Sequence, residues 1–216
     1  MDFRNNTHIQ GIAHILRNVG ECIEGNLICD INPDNFTIER NIAKIKNLQY
    51  LVAGKKKICE IGLNAAHSLL LMLLVNPTAE YTLFDLGNHK YTRPCVEYIR
   101  SQFPESKIEI FYGNSVETLA EYIEDHPNQL NTYDLCHLDG GHTEDIFSQD
   151  YANVKKLVKE SGIVIFDDYD LPAIHSFIDT MVSTDEIVEV KDPELSKTGL
   201  HFIYSYTLTT KISPTS

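Results

Sequence analysis

Residues 57–86 read KICEIGLNAAHSLLLMLLVNPTAEYTLFDL, and their pattern indicates the fold class. A β-type run ends at Gly62, a helix-length apolar segment follows it, and Asn76-Pro77 breaks that helix before a second β-type run. Two neighbouring strands that are joined by a helix usually run parallel. A parallel pair needs such a long connection, because the chain must return to the starting end of the first strand before the second begins. The stretch therefore predicts a strand–helix–strand unit of a parallel sheet.

The same alternation continues along the chain. Strands are predicted at Lys57–Leu63, Tyr81–Leu86, Lys107–Tyr112, Tyr133–Leu138, Gly162–Phe166, Glu186–Val190 and His201–Leu208. Helices are predicted at Ala65–Val75, Thr92–Phe103, Val116–Asp125, Glu144–Lys159 and Leu171–Val182. The last two strands have no long helix between them, which favours an antiparallel edge pair. We therefore predict an α/β fold with a Rossmann-like, doubly wound, seven-stranded and mostly parallel sheet that carries an antiparallel edge pair.

Residues 1–56 have a different pattern. Apolar residues with helical spacing occupy Ile9–Val19 and Ile38–Leu51, and Asn32-Pro33-Asp34 separates these two segments. We expect residues 1–56 to form an N-terminal helical cap packed on a Rossmann-like domain that spans residues 57–216.

Composition excludes several classes of protein. The 216 residues include 18 Lys and Arg against 31 Asp and Glu, a net charge of −13, so we expect no nucleic-acid partner. The five cysteines are odd in number and form no C-x-x-C pair, which argues against a disulfide framework and a thiolate zinc site. No apolar stretch is long enough to span a bilayer or to serve as a signal core, so we expect a soluble, cytoplasmic protein without a membrane partner.

Ligands of doubly wound sheets bind beyond the carboxyl ends of the strands, so the residues there are candidates for the site. Gly62 permits a tight turn, and the helix that follows offers N–H groups to a ligand. Asp85 ends the second strand about 20 residues further on, where an acid can accept hydrogen bonds from ribose hydroxyls, or can cap a helix. Asn114 follows the third strand and suits either an adenine edge or a helix cap.

Acidic residues also follow the fourth and fifth strands. Asp139 ends the fourth strand, and Asp167 and Asp168 end the fifth. Neighbouring strands are about 4.8 Å apart, so these carboxylates would repel each other unless one stayed protonated or a cation joined them. Oxygen ligands favour a divalent cation such as Mg²⁺, with Ca²⁺ as the alternative, over zinc. The alternative for these acids is a helix cap and a solvated strand end.

His142 lies three residues past Asp139, after Gly140 and Gly141. An imidazole in a glycine-rich loop can turn back toward the strand ends and act as a general base near neutral pH. The alternative is an ordinary loop residue.

These pieces resemble the class I S-adenosylmethionine-dependent methyltransferases, and more narrowly the metal-dependent small-molecule O-methyltransferases of the macrolide sugar type. The resemblance covers about residues 57–208. It implies that the E-x-G turn at 60–62 holds the methionine part of the cofactor and that Asp85 holds its ribose. It also implies that Asp139 and the pair at 167–168 bind the metal and that His142 is the base. Asn64 and Ala66 depart from the family pattern, because glycines usually stand there.

The implied reaction is S-adenosylmethionine-dependent methyl transfer to a hydroxyl of a small molecule, with a divalent cation as a second cofactor. The predicted cofactor-binding residues are Glu60, Gly62, Asn64, Ser68, Asp85, Asn114, Ser115 and Asp139. The predicted metal ligands are Asp139, Asp167 and Asp168, and the predicted catalytic residue is His142.

Two other functions are compatible with the same residues. A non-catalytic scaffold or binding protein could keep the fold, which the altered first loop favours and the intact set of acids with His142 opposes. A hydroxylase-like enzyme is also known on this scaffold, as in proteins similar to cephalosporin hydroxylase. The sequence does not identify the acceptor, and it is compatible with a homo-oligomer.

Overall fold

The computed structural model describes residues 5–24, 26–29 and 38–206. This part of the chain contains the strands β1 (Lys57–Ile61), β2 (Glu80–Asp85), β3 (Lys107–Tyr112), β4 (Tyr133–Leu138), β5 (Val158–Asp167), β6 (Ile187–Glu189) and β7 (His201–Tyr206). Its α-helices are α1 (Thr7–Val19), α2 (Ile38–Val52), α3 (His67–Leu73), α4 (Thr92–Gln102), α5 (Ser115–Asp125), α6 (Glu144–Leu157) and α7 (Pro172–Ser183). A short 3₁₀ helix covers Pro127–Gln129.

The strands form one sheet in the order β3-β2-β1-β4-β5-β7-β6. Strands β1 to β5 pair in parallel, and β7 runs antiparallel to both β5 and β6. The predicted seven-stranded, mostly parallel sheet with an antiparallel edge pair is therefore confirmed. From β1 the chain first builds the sheet to one side, with β2 and β3, and then to the other side, with β4 and β5. This reversal opens a crevice at the carboxyl ends of β1 and β4.

Apolar side chains cover both faces of this sheet, as expected of buried parallel strands. Ile58 and Leu135 face the core shared with α1, α2, α3 and α4. Cys59 and Cys136 face the core on the side of α5, α6 and α7, and both are completely buried. These two cysteines are thus small residues of the core.

The N-terminal helices pack on the same face as α3 and α4. Helix α1 contacts α3 and α4, and α2 contacts α3. The Asn6 side chain caps α1 by accepting hydrogen bonds from the amides of His8 and Ile9. Buried residues of both helices, such as Ile12 and Ile45, belong to the core that also contains Ile58 of β1. This packing places α2 above the ends of the strands.

Most predicted boundaries agree with the structure within two residues. Helix α6 ends at Leu157, where a helix to Lys159 was predicted, because Val158 is extended and pairs with Tyr133 at the start of β4. Strand β5 is accordingly longer at its start than the predicted Gly162–Phe166. The last two residues of the predicted seventh strand, 207 and 208, lie outside the described residues. Within the described ranges, no helix combines the length and the apolarity that crossing a membrane requires.

Candidate active site

A cavity of about 260 Å³ lies at the carboxyl ends of β1, β4 and β5. Six of the predicted site residues line it: Asn64, Ser68, Asp139, His142, Asp167 and Asp168. Its roof comes from the N-terminal part of the chain and includes Asn26, Arg40, Asn41 and Lys44. The structure therefore brings the ends of β4 and β5 together with α2. Five predicted residues are not on its wall: Glu60, Gly62, Asp85, Asn114 and Ser115.

Gly62 makes the turn that leaves β1. Its φ angle is +84°, and a Cβ atom there would lie 2.0 Å from the carbonyl oxygen of Asp139. The Gly62 amide donates to the carbonyl of Phe84, and the Asp139 amide donates to the carbonyl of Ile61. Only glycine allows β1 and β4 to approach this closely at their ends.

The Asp85 carboxylate organises the turn after β1. Its Oδ2 accepts hydrogen bonds from the amides of Leu63 at 2.8 Å and Asn64 at 3.0 Å, and its Oδ1 accepts from the amide of Gly87 at 2.7 Å. A carboxylate offers about four acceptor positions, so one remains for a hydroxyl. Ribose binding by Asp85 stays a prediction, and the cross-link between the ends of β1 and β2 is a role that the sequence did not indicate.

The remaining amides of this turn also have partners inside the protein. The Ala65 amide donates to Oδ1 of Asn26 at 3.2 Å, and the Ala66 amide donates to the carbonyl of Leu63 at 2.6 Å. The sequence led us to expect that the N-terminus of the following helix offers N–H groups to a ligand, and this stays a prediction for the amides of α3 itself. In the turn before α3, the four amides from Leu63 to Ala66 already donate hydrogen bonds within the protein.

Asn64 and Ala66, the two departures from the family pattern, have the backbone conformation that glycine favours. Their φ angles are +52° and +58°, both in the left-handed region. This conformation also explains why α3 begins at His67 rather than at the predicted Ala65. The Asn64 side chain accepts a hydrogen bond from the Tyr91 hydroxyl at 2.7 Å. The loop thus keeps a glycine-like path without the glycines.

Asn114 and Ser115 lie at the start of α5. Asn114 is the N-cap, and its Oδ1 accepts from the amide of Val116 at 3.3 Å. The Ser115 hydroxyl donates to Oδ2 of Asp150 at 3.0 Å, while Oδ1 of that buried acid has no partner among the described residues. Burial raises the pKa of Asp150 to about 6. Asn114 therefore has the helix-capping role left open above, and its contact with adenine stays a prediction.

A lysine from α2 reaches the acids at the strand ends. Lys44 Nζ lies 2.5 Å from Oδ2 of Asp167, and their side chains are 13% and 1% exposed. Burial alone would lower the pKa of Lys44, but the carboxylate of Asp167 raises it above its ordinary value. The ammonium group is therefore charged. Nothing in the sequence identified this residue as part of the site.

Glu60 and His137 lie side by side on β1 and β4 and extend this group inward. Oε1 of Glu60 is 2.9 Å from Nδ1 of His137, and both residues are buried. Nε2 of His137 is 3.9 Å from the same Asp167 oxygen that Lys44 contacts. A buried chain of charged and polar groups thus runs from Glu60 through His137 and Asp167 to Lys44. The sequence reasoning missed His137, although a histidine within an apolar strand could have indicated a buried polar site.

The buried acids differ in their pKa shifts. Burial by itself raises the pKa of Asp167, but Lys44 and His137 hold it below its ordinary value. The pKa of Asp139 is raised well above its ordinary value, first by burial and then by the charge of Asp167. We therefore expect Asp167 to be ionised and Asp139 to be protonated in this arrangement.

Asp168 makes a separate pair with His142. Nε2 of His142 lies 2.8 Å from Oδ2 of Asp168, and the two side chains are 60% and 31% exposed. The hydrogen bond to Asp168 raises the pKa of His142 above its ordinary value. The predicted base therefore faces the cavity with one ring nitrogen already held by a carboxylate.

The predicted metal ligands are divided between two groups. The side chains of His137, Asp139 and Asp167 can bring one ligand atom each within 4.8 Å of one another, and Asp168 is not part of this set. Imidazole nitrogen and carboxylate oxygen suit a divalent cation. However, the Lys44 ammonium lies against one of these oxygens. The donor set fits a divalent cation only when Lys44 has left Asp167.

Residues 59–169, just over half of the chain, match the family model described as a methyltransferase domain. The chain belongs to this methyltransferase family. The match spans β1 to the end of β5 and so includes the cavity floor. S-adenosylmethionine is the expected cofactor of a methyltransferase with this fold. No curated protein matches the chain in sequence.

Solved structures show the same fold at low sequence identity. A Staphylococcus aureus protein provisionally named a caffeoyl-CoA O-methyltransferase has a TM-score of 0.61 and 13% identity, over 94% of each chain. A TDP-rhamnose 3′-O-methyltransferase of calicheamicin biosynthesis has a TM-score of 0.65 and 14% identity, over 92% of each chain. A Klebsiella pneumoniae protein provisionally named an O-methyltransferase has a TM-score of 0.64 and 10% identity, over 94% of this chain and 90% of that one.

These similarities confirm that the methyltransferase has the Rossmann-like fold of class I enzymes. Sequence reasoning placed Asp139, Asp167, Asp168 and His142 together, and the structure brings all four to one cavity. It missed Lys44, because the helical pattern of α2 shows which of its residues are apolar but not which strand they cover.

Proposed function

We propose that this methyltransferase transfers the methyl group of S-adenosylmethionine to a hydroxyl of a small molecule. The observation that carries the proposal is the cavity in which His142 and Asp139 lie together at the carboxyl end of β4. A base beside the crevice of a class I fold is what O-methylation requires, because the hydroxyl must lose its proton before it is a good nucleophile. The structural neighbours named above, which carry O-methyltransferase names, agree with this choice.

In this proposal the cofactor lies across the ends of β1, β2 and β3. Gly62 lets the backbone approach the ligand closely, and the acceptor position remaining on Asp85 takes a ribose hydroxyl. The other proposed contacts are Glu60, Asn64, Ser68, Asn114, Ser115 and Asp139. Glu60 would act from behind the cavity wall, through its contact with His137.

His142 is the proposed general base. When its imidazole is neutral and Nε2–H donates to Asp168, the lone pair is on Nδ1. Nδ1 is then the atom that removes the hydroxyl proton, and Asp168 stabilises the imidazolium that forms. The oxygen attacks the methyl carbon as the carbon–sulfur bond breaks, which releases S-adenosylhomocysteine. Positioning of the two reactants and exclusion of water contribute much of the acceleration.

The divalent cation remains part of the proposal. His137, Asp139 and Asp167 would hold it, with Mg²⁺ as the first choice and Ca²⁺ as the second. Such a cation, when bound, lowers the pKa of an acceptor hydroxyl. A cytoplasmic location, the absence of nucleic-acid and membrane partners, and a homo-oligomeric state likewise remain predictions.

The test is an assay with the full-length protein, S-adenosylmethionine and a panel of phenols, catechols and sugar nucleotides. A methyltransferase produces S-adenosylhomocysteine and a product that gains the mass of one CH₂ group. A hydroxylase-like enzyme would instead add the mass of one oxygen atom. Binding of S-adenosylmethionine in calorimetry with no product from any acceptor would favour a binding protein on this fold and contradict the proposal.

A further inference from the structure

We propose that the Lys44 ammonium is an intramolecular cation that competes with a divalent cation for Asp167, so that the Lys44–Asp167 ion pair and metal binding exclude each other. The inference rests on the proposed function, since it concerns the cation proposed there. It assigns to Lys44 the role of a positioning residue that controls access to the carboxylates.

The geometry requires one cation or the other. Lys44 Nζ lies 2.5 Å from Oδ2 of Asp167, the oxygen that also faces His137. A Mg²⁺ ion binds carboxylate oxygens at about 2.0–2.1 Å. An ion on this oxygen would therefore lie within a few ångströms of the ammonium, where two positive charges repel each other strongly.

Because Lys44 and Asp167 are buried, the departure of the ammonium and the binding of a divalent cation are coupled. The side chains of Lys44 and Asp167 are 13% and 1% exposed, so water screens neither charge well. A buried carboxylate that loses the ammonium beside it is left poorly compensated, which is strongly unfavourable. Lys44 therefore leaves Asp167 when another cation replaces it, and the ion binds when Lys44 leaves.

The charges balance without a metal. Lys44 gives Asp167 a cationic partner, and Nε2 of His142 lies 2.8 Å from Oδ2 of Asp168. Within the described residues, no ion pair reaches Asp139. The repulsion between carboxylates that led us to predict a metal is thus already relieved by a side chain.

Helix α2 is fastened to the protein on both sides of Lys44. Asn47, three residues later, contacts Nε2 of His201 at 3.0 Å and exchanges two 2.8 Å hydrogen bonds with the backbone of Ser196. Asn41, three residues earlier, donates to the carbonyl of Leu27 at 3.1 Å. Residues three apart share one face of a helix. The Lys44–Asp167 pair is thus one of several attachments on this face, and its loss weakens the docking of α2.

The first experiment titrates the full-length protein with MnCl₂ and measures binding by calorimetry or by the electron paramagnetic resonance signal of free Mn²⁺. Mn²⁺ accepts the same carboxylate ligands as Mg²⁺. Lys44→Met should bind Mn²⁺ at least about tenfold more tightly than the wild type, because the repelling charge is gone. Adding Asp167→Asn to Lys44→Met should abolish the gain.

Lys46→Met is the matched control, because Lys46 is exposed on the same helix and the substitution removes the same charge. It should leave Mn²⁺ affinity within about twofold of the wild type. If Lys44→Met does not fold, Lys44→Gln keeps a hydrogen-bond donor near Asp167 and should show the same gain. Equal affinity of the folded Lys44 variant and the wild type would overturn the proposal, as would the absence of Mn²⁺ binding by both.

The second experiment measures hydrogen exchange over residues 38–52 at a Mn²⁺ concentration that saturates the protein in the titration. Exchange should become faster in the wild type and should not change in Lys44→Gln, where no ion pair remains to be displaced. Unchanged exchange in a saturated wild type would show that the metal binds beside Lys44. Neither experiment uses cofactor or acceptor, so failure here leaves the proposed methyl transfer intact, and failure of methyl transfer leaves these results valid.

Discussion

The two halves of the cavity floor are held together in different ways. At the ends of β1 and β2, backbone amides donate to one carboxylate, that of Asp85. At the ends of β4 and β5, charged side chains contact each other, as in the pairs of Lys44 with Asp167 and of His142 with Asp168. Every substitution except one to proline keeps the backbone N–H, whereas a substitution can remove any member of an ion pair. We infer that the first half is a cradle set largely by the backbone and that the second half is the part that ligands can adjust.

The two halves also shift histidines in opposite directions. His67 is the first residue of α3, directly after the turn that leaves β1. It is buried, and burial lowers its pKa to about 3. The pKa of His142 is raised by its hydrogen bond to Asp168. The comparison therefore predicts a neutral histidine beside the cradle and a readily protonated one beside the acids.

The largest effect is expected from removal of the proposed base. His142→Ala should lower kcat by on the order of 10²–10⁴, because general-base catalysis typically contributes that much. Its affinity for S-adenosylmethionine, measured by calorimetry, should stay close to that of the wild type. His175→Ala, which removes an exposed histidine of α7, should keep the wild-type kcat. Wild-type turnover by His142→Ala across the neutral range would show that His142 is not the general base.

Asp85→Ala tests the cradle. Three amides would lose their acceptor, and we expect the free energy of unfolding to fall by about 3 kcal/mol in urea denaturation. Affinity for S-adenosylmethionine should fall by about tenfold or more, since a hydrogen bond to a charged group contributes roughly 1.5–3 kcal/mol.

Asp134→Ala is the control for Asp85→Ala. Asp134 accepts from the amides of Lys56 and Lys57 at the opposite end of β1, away from the cavity. It should lower stability without changing cofactor affinity. Unchanged affinity in Asp85→Ala would remove Asp85 from the cofactor site.

Acid should destabilise the fold through His67. The unfolded chain protonates this histidine below pH 6.5, whereas the folded protein does not until about pH 3. Stability is therefore fully present above pH 6.5 and is lost as the pH falls below it. At pH 5 the loss from this residue is about 2 kcal/mol. His67→Gln should lose correspondingly less stability between pH 7 and pH 5, and equal losses in both proteins would contradict the burial argument.

The pH dependence of turnover should report the opposite shift at His142. The base must be unprotonated, so kcat should rise with pH through an inflection above 6.5. Asp168→Asn removes the charge that stabilises the imidazolium and should move the inflection down toward 6.5. An inflection that does not move would show that the His142–Asp168 pair does not control protonation of the base.

The smallest effect concerns the path of the first loop. Ala66→Gly should raise the free energy of unfolding by up to about 1 kcal/mol, because it relieves a left-handed conformation that costs an alanine roughly 1–2 kcal/mol. Ala65→Gly, at a buried neighbour without a positive φ, should lower stability instead. A loss of stability in both variants would mean that methyl burial outweighs backbone strain at residue 66.

The alternation of strands and helices could be predicted because its signals are local. Apolar period, glycine turns and proline breaks lie within about ten residues of the structure they determine. The same local reasoning placed Asp139 and Asp167 at one edge of the sheet, since parallel strands end together. The sequence by itself also determined that carboxylates so close need a proton or a cation.

Which cation they have was decided by the tertiary structure. Lys44 and Asp167 are 123 residues apart in the chain, and only the packing of α2 over the strand ends brings them into contact. Likewise, Glu60 meets His137 through the register of β1 with β4. Local patterns show which face of an element is apolar, but not which partner that face will cover. Contacts between distant charged side chains therefore exist only once the whole core has packed.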